Sequence, residues 1–144
     1  MRYLSIDFGA KRTGLAVGDD GSGIASPVGV IQTANAEERL RQVGRAIAEQ
    51  EPGALVVGVP LGADGSAGSA GSAAGVGRAF AETLRRRFGL PVFEVDERLS
   101  SADADEQMGR SGLTHGQKKA RRDALAAAVI LRRFFASGTG RPGD

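Results

Sequence analysis

The chain has 144 residues, a formal net charge of +2 and no cysteine; this length supports one domain with a real core and leaves little room for two. Hydrophobic residues at 41% and charged ones at 25% are ordinary for a soluble globular protein, and no apolar run approaches the roughly 20 residues of a membrane span. The missing cysteines exclude disulfides, thiolate zinc sites and cysteine nucleophiles, and fit a cytoplasmic location.

At the N-terminus, "RYLSIDF" alternates, with Leu4, Ile6 and Phe8 on one face and Tyr3, Ser5 and Asp7 on the other. Asp7, Lys11 and Arg12 interrupt any signal-peptide core. "GAKRTG" marks a turn and "GLAVGD" a second strand in a hairpin. "IASPVGVIQT" is a weaker third strand, which Pro27 restricts to an edge or a strand start. Helical periodicity follows over 36–50 through Leu40, Val43, Ile47 and Ala48, and "ALVVGVPL" is a continuous apolar strand of the kind buried between two layers. After a Gly/Ser loop come a helix over 74–88, a fifth strand "LPVFEV", a short helix from Ser100 and Ser101 to about 109, and the loop "SGLTHG". A last helix spans 118–135.

This order predicts an α/β domain: a five-stranded mixed sheet, in which an antiparallel three-strand meander precedes two parallel strands, flanked by helices. The first strand is central, beside "ALVVGVPL". The domain is read as 1–136, with 137–144 a flexible C-terminal tail.

Three acids fall where sheet and helices converge. Asp7 lies on the central strand, where a buried carboxylate is costly without a partner; Arg12, a metal ion and no partner at all stay open. Glu97 follows the fifth strand, at the carboxyl end where α/β sheets bind ligands. Asp123 shares a helical stripe with Ala127, Ile130 and Phe134, which turns it toward the sheet. Singly, each has a structural explanation: a turn carboxylate for Asp7, pairing of Glu97 with Arg98 or Arg121, a first-turn acid favoured by the helix dipole for Asp123. Together, unpaired carboxylates repel and acquire raised pKa values unless a cation intervenes, and Mg2+ or Mn2+ meets that need with oxygen ligands.

The blocks "DFGAKRTGLAVGD", "VVGVPLGADGSAG", "VDERLSS" and "RRDALAAAVIL", in this order and spacing, resemble the signature blocks of the YqgF/RuvX family. Members are small RNase H-like proteins related to Holliday-junction resolvases and named as nucleases of the 16S rRNA precursor. The resemblance runs from Met1 to about Phe135. It implies an RNase H-like fold and an acidic, metal-binding catalytic triad on Asp7, Glu97 and Asp123. Arg12 matches the basic residue of the first block and Arg98 that of the third, both as phosphate contacts. The loop after the second block is Gly/Ala-rich where a more polar block is expected, and a fourth metal carboxylate has no match. The implied reaction is two-metal phosphodiester hydrolysis.

In that loop, Ser66 and Gly68 are the best candidates for substrate contact, through an amide cradle that no Walker lysine accompanies. Lys118, Lys119, Arg121 and Arg122 form a basic cluster just before Asp123, suited to a phosphate backbone. "RRRF" at 85–88 is assigned to its own helix C-terminus. His115 is read as a loop residue at the surface, and Asp64 and Asp96 as exposed loop acids. A single tyrosine and no tryptophan argue against base stacking as the main binding mode.

The expected activity is therefore that of a metal-dependent endonuclease on structured nucleic acid, with rRNA precursor the first substrate and branched DNA the second. Its rival is a non-catalytic RNA- or DNA-binding factor on the same scaffold. The partners are nucleic acid and no membrane, with homodimer formation left open.

Overall fold

The computed structural model describes residues 1–59, 73–96 and 115–137, with side chains described at all of these except 73–74 and 115–120. β1 (Arg2–Asp7), β2 (Arg12–Asp19) and β3 (Ile24–Gln32) form the antiparallel meander. β4 (Ala54–Val59) and β5 (Val92–Asp96) then add in parallel, giving the order β3-β2-β1-β4-β5. The expected mixed sheet with a central first strand is the observed one.

Among the described residues, three helices cover the two faces. α1 (Ala36–Gln50) starts at Asn35, whose side chain accepts from the Glu38 amide at 2.8 Å, and Glu37 and Glu38 favour its positive N-terminus. With α2 (Ala73–Phe88) it covers one face. There Leu40, Val43, Ala46, Phe80, Ala81 and Leu84 pack on Leu4, Ile6, Leu15, Leu55, Val57 and Val59. α3 (His115–Ser137) lies on the other face, where Ile130, Leu131 and Phe134 pack on Tyr3, Ala54 and Val56. With a helix layer on each side, β1 and β4 are buried on both faces.

Pro27 sits within β3 rather than at its start, and β3 is indeed an edge strand, where a missing N–H breaks no ladder. Opposite it the register shifts between Leu15 and Ala16, a bulge that leaves Val28 without a cross-strand partner.

α3 begins at His115, so the only histidine belongs to the helix and not to a loop. The first two helical turns are polar and contain Gly116, so apolar periodicity does not reveal them. At its other end α3 includes Ser137, one residue past the expected domain boundary. Asp96 is the half-buried last residue of β5, not an exposed loop acid. Two arginines of the "RRRF" run reach beyond their helix end. Arg85 donates to the Val92 carbonyl at 2.8 Å and to Glu94 at 3.3 Å, and Arg87 donates to Glu37 at 2.6 Å.

Candidate active site

Tyr3, Ser5 and Asp7 point to the α3 side, and α3 runs along them in the opposite direction. The Tyr3 ring lies 5.3 Å from that of Phe134. The buried Ser5 hydroxyl donates to the Ala127 carbonyl at 2.8 Å. One helical turn before Ala127 comes Asp123, and two strand residues after Ser5 comes Asp7. Advancing one pair on each element covers about 5–7 Å on both, so the two carboxylates arrive at the same end of the same face.

The neighbours of Asp7 leave room for this. Across the ladders it stands opposite Gly14 on β2 and Gly58 on β4, so neither flanking position on its row carries a side chain. Gly14 does more than vacate space. A Cβ there would lie 1.9 Å from the Asp123 backbone oxygen, far inside any permitted contact. Gly14, Ala16 and Gly18 alternate along β2 as a seam of small residues against Asp123, Ala127, Ala128 and Leu131. That seam lets the helix backbone settle onto the sheet beside Asp7.

The electrostatics follow from this proximity. Burial pushes the Asp123 carboxyl above its ordinary pKa; the Arg12 guanidinium opposes the shift, and the Asp7 charge adds to it. Arg12 Nε is 3.0 Å from Asp123 Oδ2. Its N–H is nevertheless poorly aimed, because Oδ2 is buried without a hydrogen bond. The contact is thus an ion pair by distance, which leaves an oxygen lone pair open. Arg12, which the sequence offered as a partner for Asp7, is found on Asp123 instead. Among the described residues no group of three acidic or histidine side chains is placed to hold a metal; the third expected acid, Glu97, lies outside them. The donor set itself fits a hard divalent cation: two carboxylates on one face, one with a buried oxygen lacking a hydrogen bond and a field that disfavours its ionised form.

The raised pKa has a measurable consequence. Between the ordinary aspartate value of 3.8 and the higher folded value, the folded state binds more protons than the unfolded one. Stability therefore falls as pH climbs through that interval and stays lower above it. In metal-free buffer, Asp123→Asn should remove this fall, so the variant gains on the wild type as pH rises from about 3 to about 7. Urea unfolding across that range checks it; parallel curves would place the Asp123 shift elsewhere.

Of the other expected site residues, Arg121 is exposed and Arg122 half-buried on α3. Lys118 and Lys119 belong to the same helix. Ser66, Gly68, Arg98, Asp64 and the short helix at 100–109 lie outside the described residues. The residues that sequence reasoning missed are Gly14 and Gly58, which carry no chemistry of their own; their signal was a glycine inside each of two strand patterns, a mark of close backbone approach.

Comparison with known proteins bears on the fold and the family. A family model described as "RuvX: Holliday junction resolvase" matches residues 1–137. A "Putative pre-16S rRNA nuclease" from Thiobacillus denitrificans is 44% identical over 133 residues, covering 92% of this chain and 89% of its own. One of the same name from Anaeromyxobacter sp. is 43% identical over 131 residues, covering 91% and 93%. Among solved structures, the fowlpox virus resolvase with Holliday junction DNA matches with a TM-score of 0.60 at 12% identity, covering 95% of this chain and 98% of that one. The Thermus thermophilus RuvC complex with a Holliday junction substrate matches at 0.58 and 19%, covering 99% of both. At such identities the likeness is one of fold, and the fold is RNase H-like. On the strength of the family match and these relatives, the chain belongs to the RuvX family.

Proposed function

We propose that this protein is a metal-dependent endonuclease that hydrolyses phosphodiester bonds in structured nucleic acid, with the 5′ end of the 16S rRNA precursor as first substrate and branched DNA as second. The observation that carries the reading is the meeting of Asp7 and Asp123 on one sheet face, with Asp123 Oδ2 buried and lacking a hydrogen bond. The names of the relatives and the resolvase fold support the same class of reaction.

In this reading Asp7, Glu97 and Asp123 hold Mg2+ or Mn2+. A pair of such ions, when bound, supplies an activated water and neutralises the leaving oxygen. The rest falls to the chain. Asp7 and Asp123 stay ionised as ligands and fix the reacting end of the sheet. Arg12, on leaving Asp123, is free to grip a flanking phosphate, and Arg98 holds another. Ser66 and Gly68 contact the strand from the second block. Lys118, Lys119, Arg121 and Arg122 hold the phosphate backbone beyond the cut, where negative charge must be offset.

A cleavage assay of precursor RNA, four-way DNA junctions and single strands tests this, with Mg2+, Mn2+ and chelator compared. Metal-dependent cuts in one of the structured substrates are expected. Tight binding of every substrate with no cut under any metal would turn the assignment to a non-catalytic binding factor. The basic cluster has its own test: replacing Lys119 and Arg121 together by Ala should flatten the slope of log K against log salt by roughly 2 units on duplex substrate. An unchanged slope would make them solvated helix surface.

A further inference from the structure

The turn that joins Asp7 to Arg12 has its carbonyls held on one side. Gly9 O accepts from Thr13 Oγ1 at 3.2 Å, Ala10 O from Arg39 Nη2 at 2.6 Å, and Lys11 O from the Thr33 amide at 3.0 Å. In a trans peptide the N–H points opposite to the carbonyl of the same unit. The Ala10 and Lys11 amides belong to the units whose carbonyls Thr13 and Arg39 hold, so both are turned away from those donors. Both residues are exposed, and among the described residues neither amide has a backbone or side-chain acceptor. Buried backbone polar groups are paired within the protein as a rule, whereas exposed amides such as these are open to water or to a ligand. Here one side of the turn is satisfied by the protein and the other faces outward, beside Asp7.

Arg39 is the unusual part of this arrangement. It is 5% exposed, donates a second bond to Thr33 O at 3.1 Å, and stacks its guanidinium 5.1 Å from the centre of the Phe8 ring. Phe8 in turn packs on Phe80, with ring centres 4.5 Å apart. Its Nε is buried without a hydrogen bond, and among the described residues no carboxylate pairs with it. A buried cation with no counter-ion is costly, and an apolar side chain of similar length would fill the space without that cost. A cation under the turn does two things that an apolar chain cannot. It fixes a carbonyl inward with a charge-assisted bond, and it leaves uncompensated positive charge beneath the outward amides.

We propose that the outward Ala10 and Lys11 amides, with the Lys11 ammonium, form a phosphate subsite for a nucleic-acid strand beside Asp7, and that Arg39 is its positioning residue. The identity of the ligand as a nucleic-acid phosphate rests on the nuclease reading; the subsite itself rests on the turn. A phosphate held there places its strand next to the Asp7–Asp123 pair without using either carboxylate.

The test follows backbone amide resonances of metal-free protein titrated separately with inorganic phosphate, a short DNA strand and a short RNA strand. The Ala10 and Lys11 amides should move with all three, and the tighter of the two strands identifies the source of the phosphate. In Arg39→Met, still folded by its melting curve, strand affinity should fall about tenfold and the two amide shifts should vanish, the effect of losing the charge-assisted hold on the turn. Should that variant not fold, Arg39→Lys, which keeps the charge but not the fork, should give an intermediate affinity. Shifts elsewhere but not at Ala10 and Lys11 in the wild type overturn the subsite. Undiminished shifts and affinity in either Arg39 variant overturn its positioning role, since a merely structural arginine would change melting and not binding by folded molecules. Wild-type cleavage with Mg2+ on the same preparation separates the two readings. Amide shifts without cleavage retain the subsite and remove the nuclease; cleavage without amide shifts does the reverse.

Discussion

Asp7→Asn should lower Mg2+-dependent hydrolysis by at least about 100-fold, comparable to losing several kcal/mol of transition-state stabilisation. The substitution preserves size and much of the hydrogen bonding while removing the charge proposed to hold metal. It also removes one of the influences that raise the Asp123 pKa, so Asp123 should ionise more readily in the variant. Metal-free binding of nucleic acid should persist or tighten, because a negative charge near the phosphate is gone. The alternative is that Asp7 is a structural carboxylate at the head of the turn. It would then matter for folding first, and the variant would melt earlier while its folded fraction cleaved normally. Melting temperature, metal-free binding and cleavage measured on one preparation distinguish these. Lost stability with retained activity would withdraw Asp7 from the catalytic set.

Gly14→Ala is expected to be nearly as damaging, although Gly14 has no side chain to lose. The new methyl would sit 1.9 Å from the Asp123 carbonyl oxygen and 2.5 Å from its carbon, both backbone atoms that no rotamer change can move. Either β2 or α3 must retreat, and the retreat opens the seam through which Ala16 packs on Ala127 and Ala128. Overpacking of this kind costs about 3 kcal/mol where relaxation is this restricted. The same displacement carries Asp123 away from Asp7, and a misplacement of about 1 Å at a catalytic group can cost about 100-fold in rate. Gly29→Ala on the edge strand is the matched control, because nothing lies within 4 Å of the added Cβ. Urea unfolding should separate the two substitutions clearly. A Gly14 variant as stable and active as the control would mean that helix and strand are not held in this close approach.

Within the described residues, the order of the strands and long helices and the faces they present were legible in the chain itself. Period-two alternation placed Tyr3, Ser5 and Asp7 on one side of β1, and helical spacing put Asp123 in line with Ala127, Ile130 and Phe134; the observed packing has both. These are local properties, because the direction of a side chain along a strand or helix depends only on its neighbours in the chain. The polar start of α3 was not legible, since a helix turn without apolar residues leaves no periodic signal. Nor was the company each group keeps. That Asp7 stands between Gly14 and Gly58, that Arg12 pairs with Asp123, and that a buried Arg39 holds the Ala10 carbonyl from 29 residues away are consequences of strand register and layer packing. They emerge with the assembled fold, because register is fixed by which hydrophobic faces pack together across the sheet, and no short stretch of sequence contains its own partner.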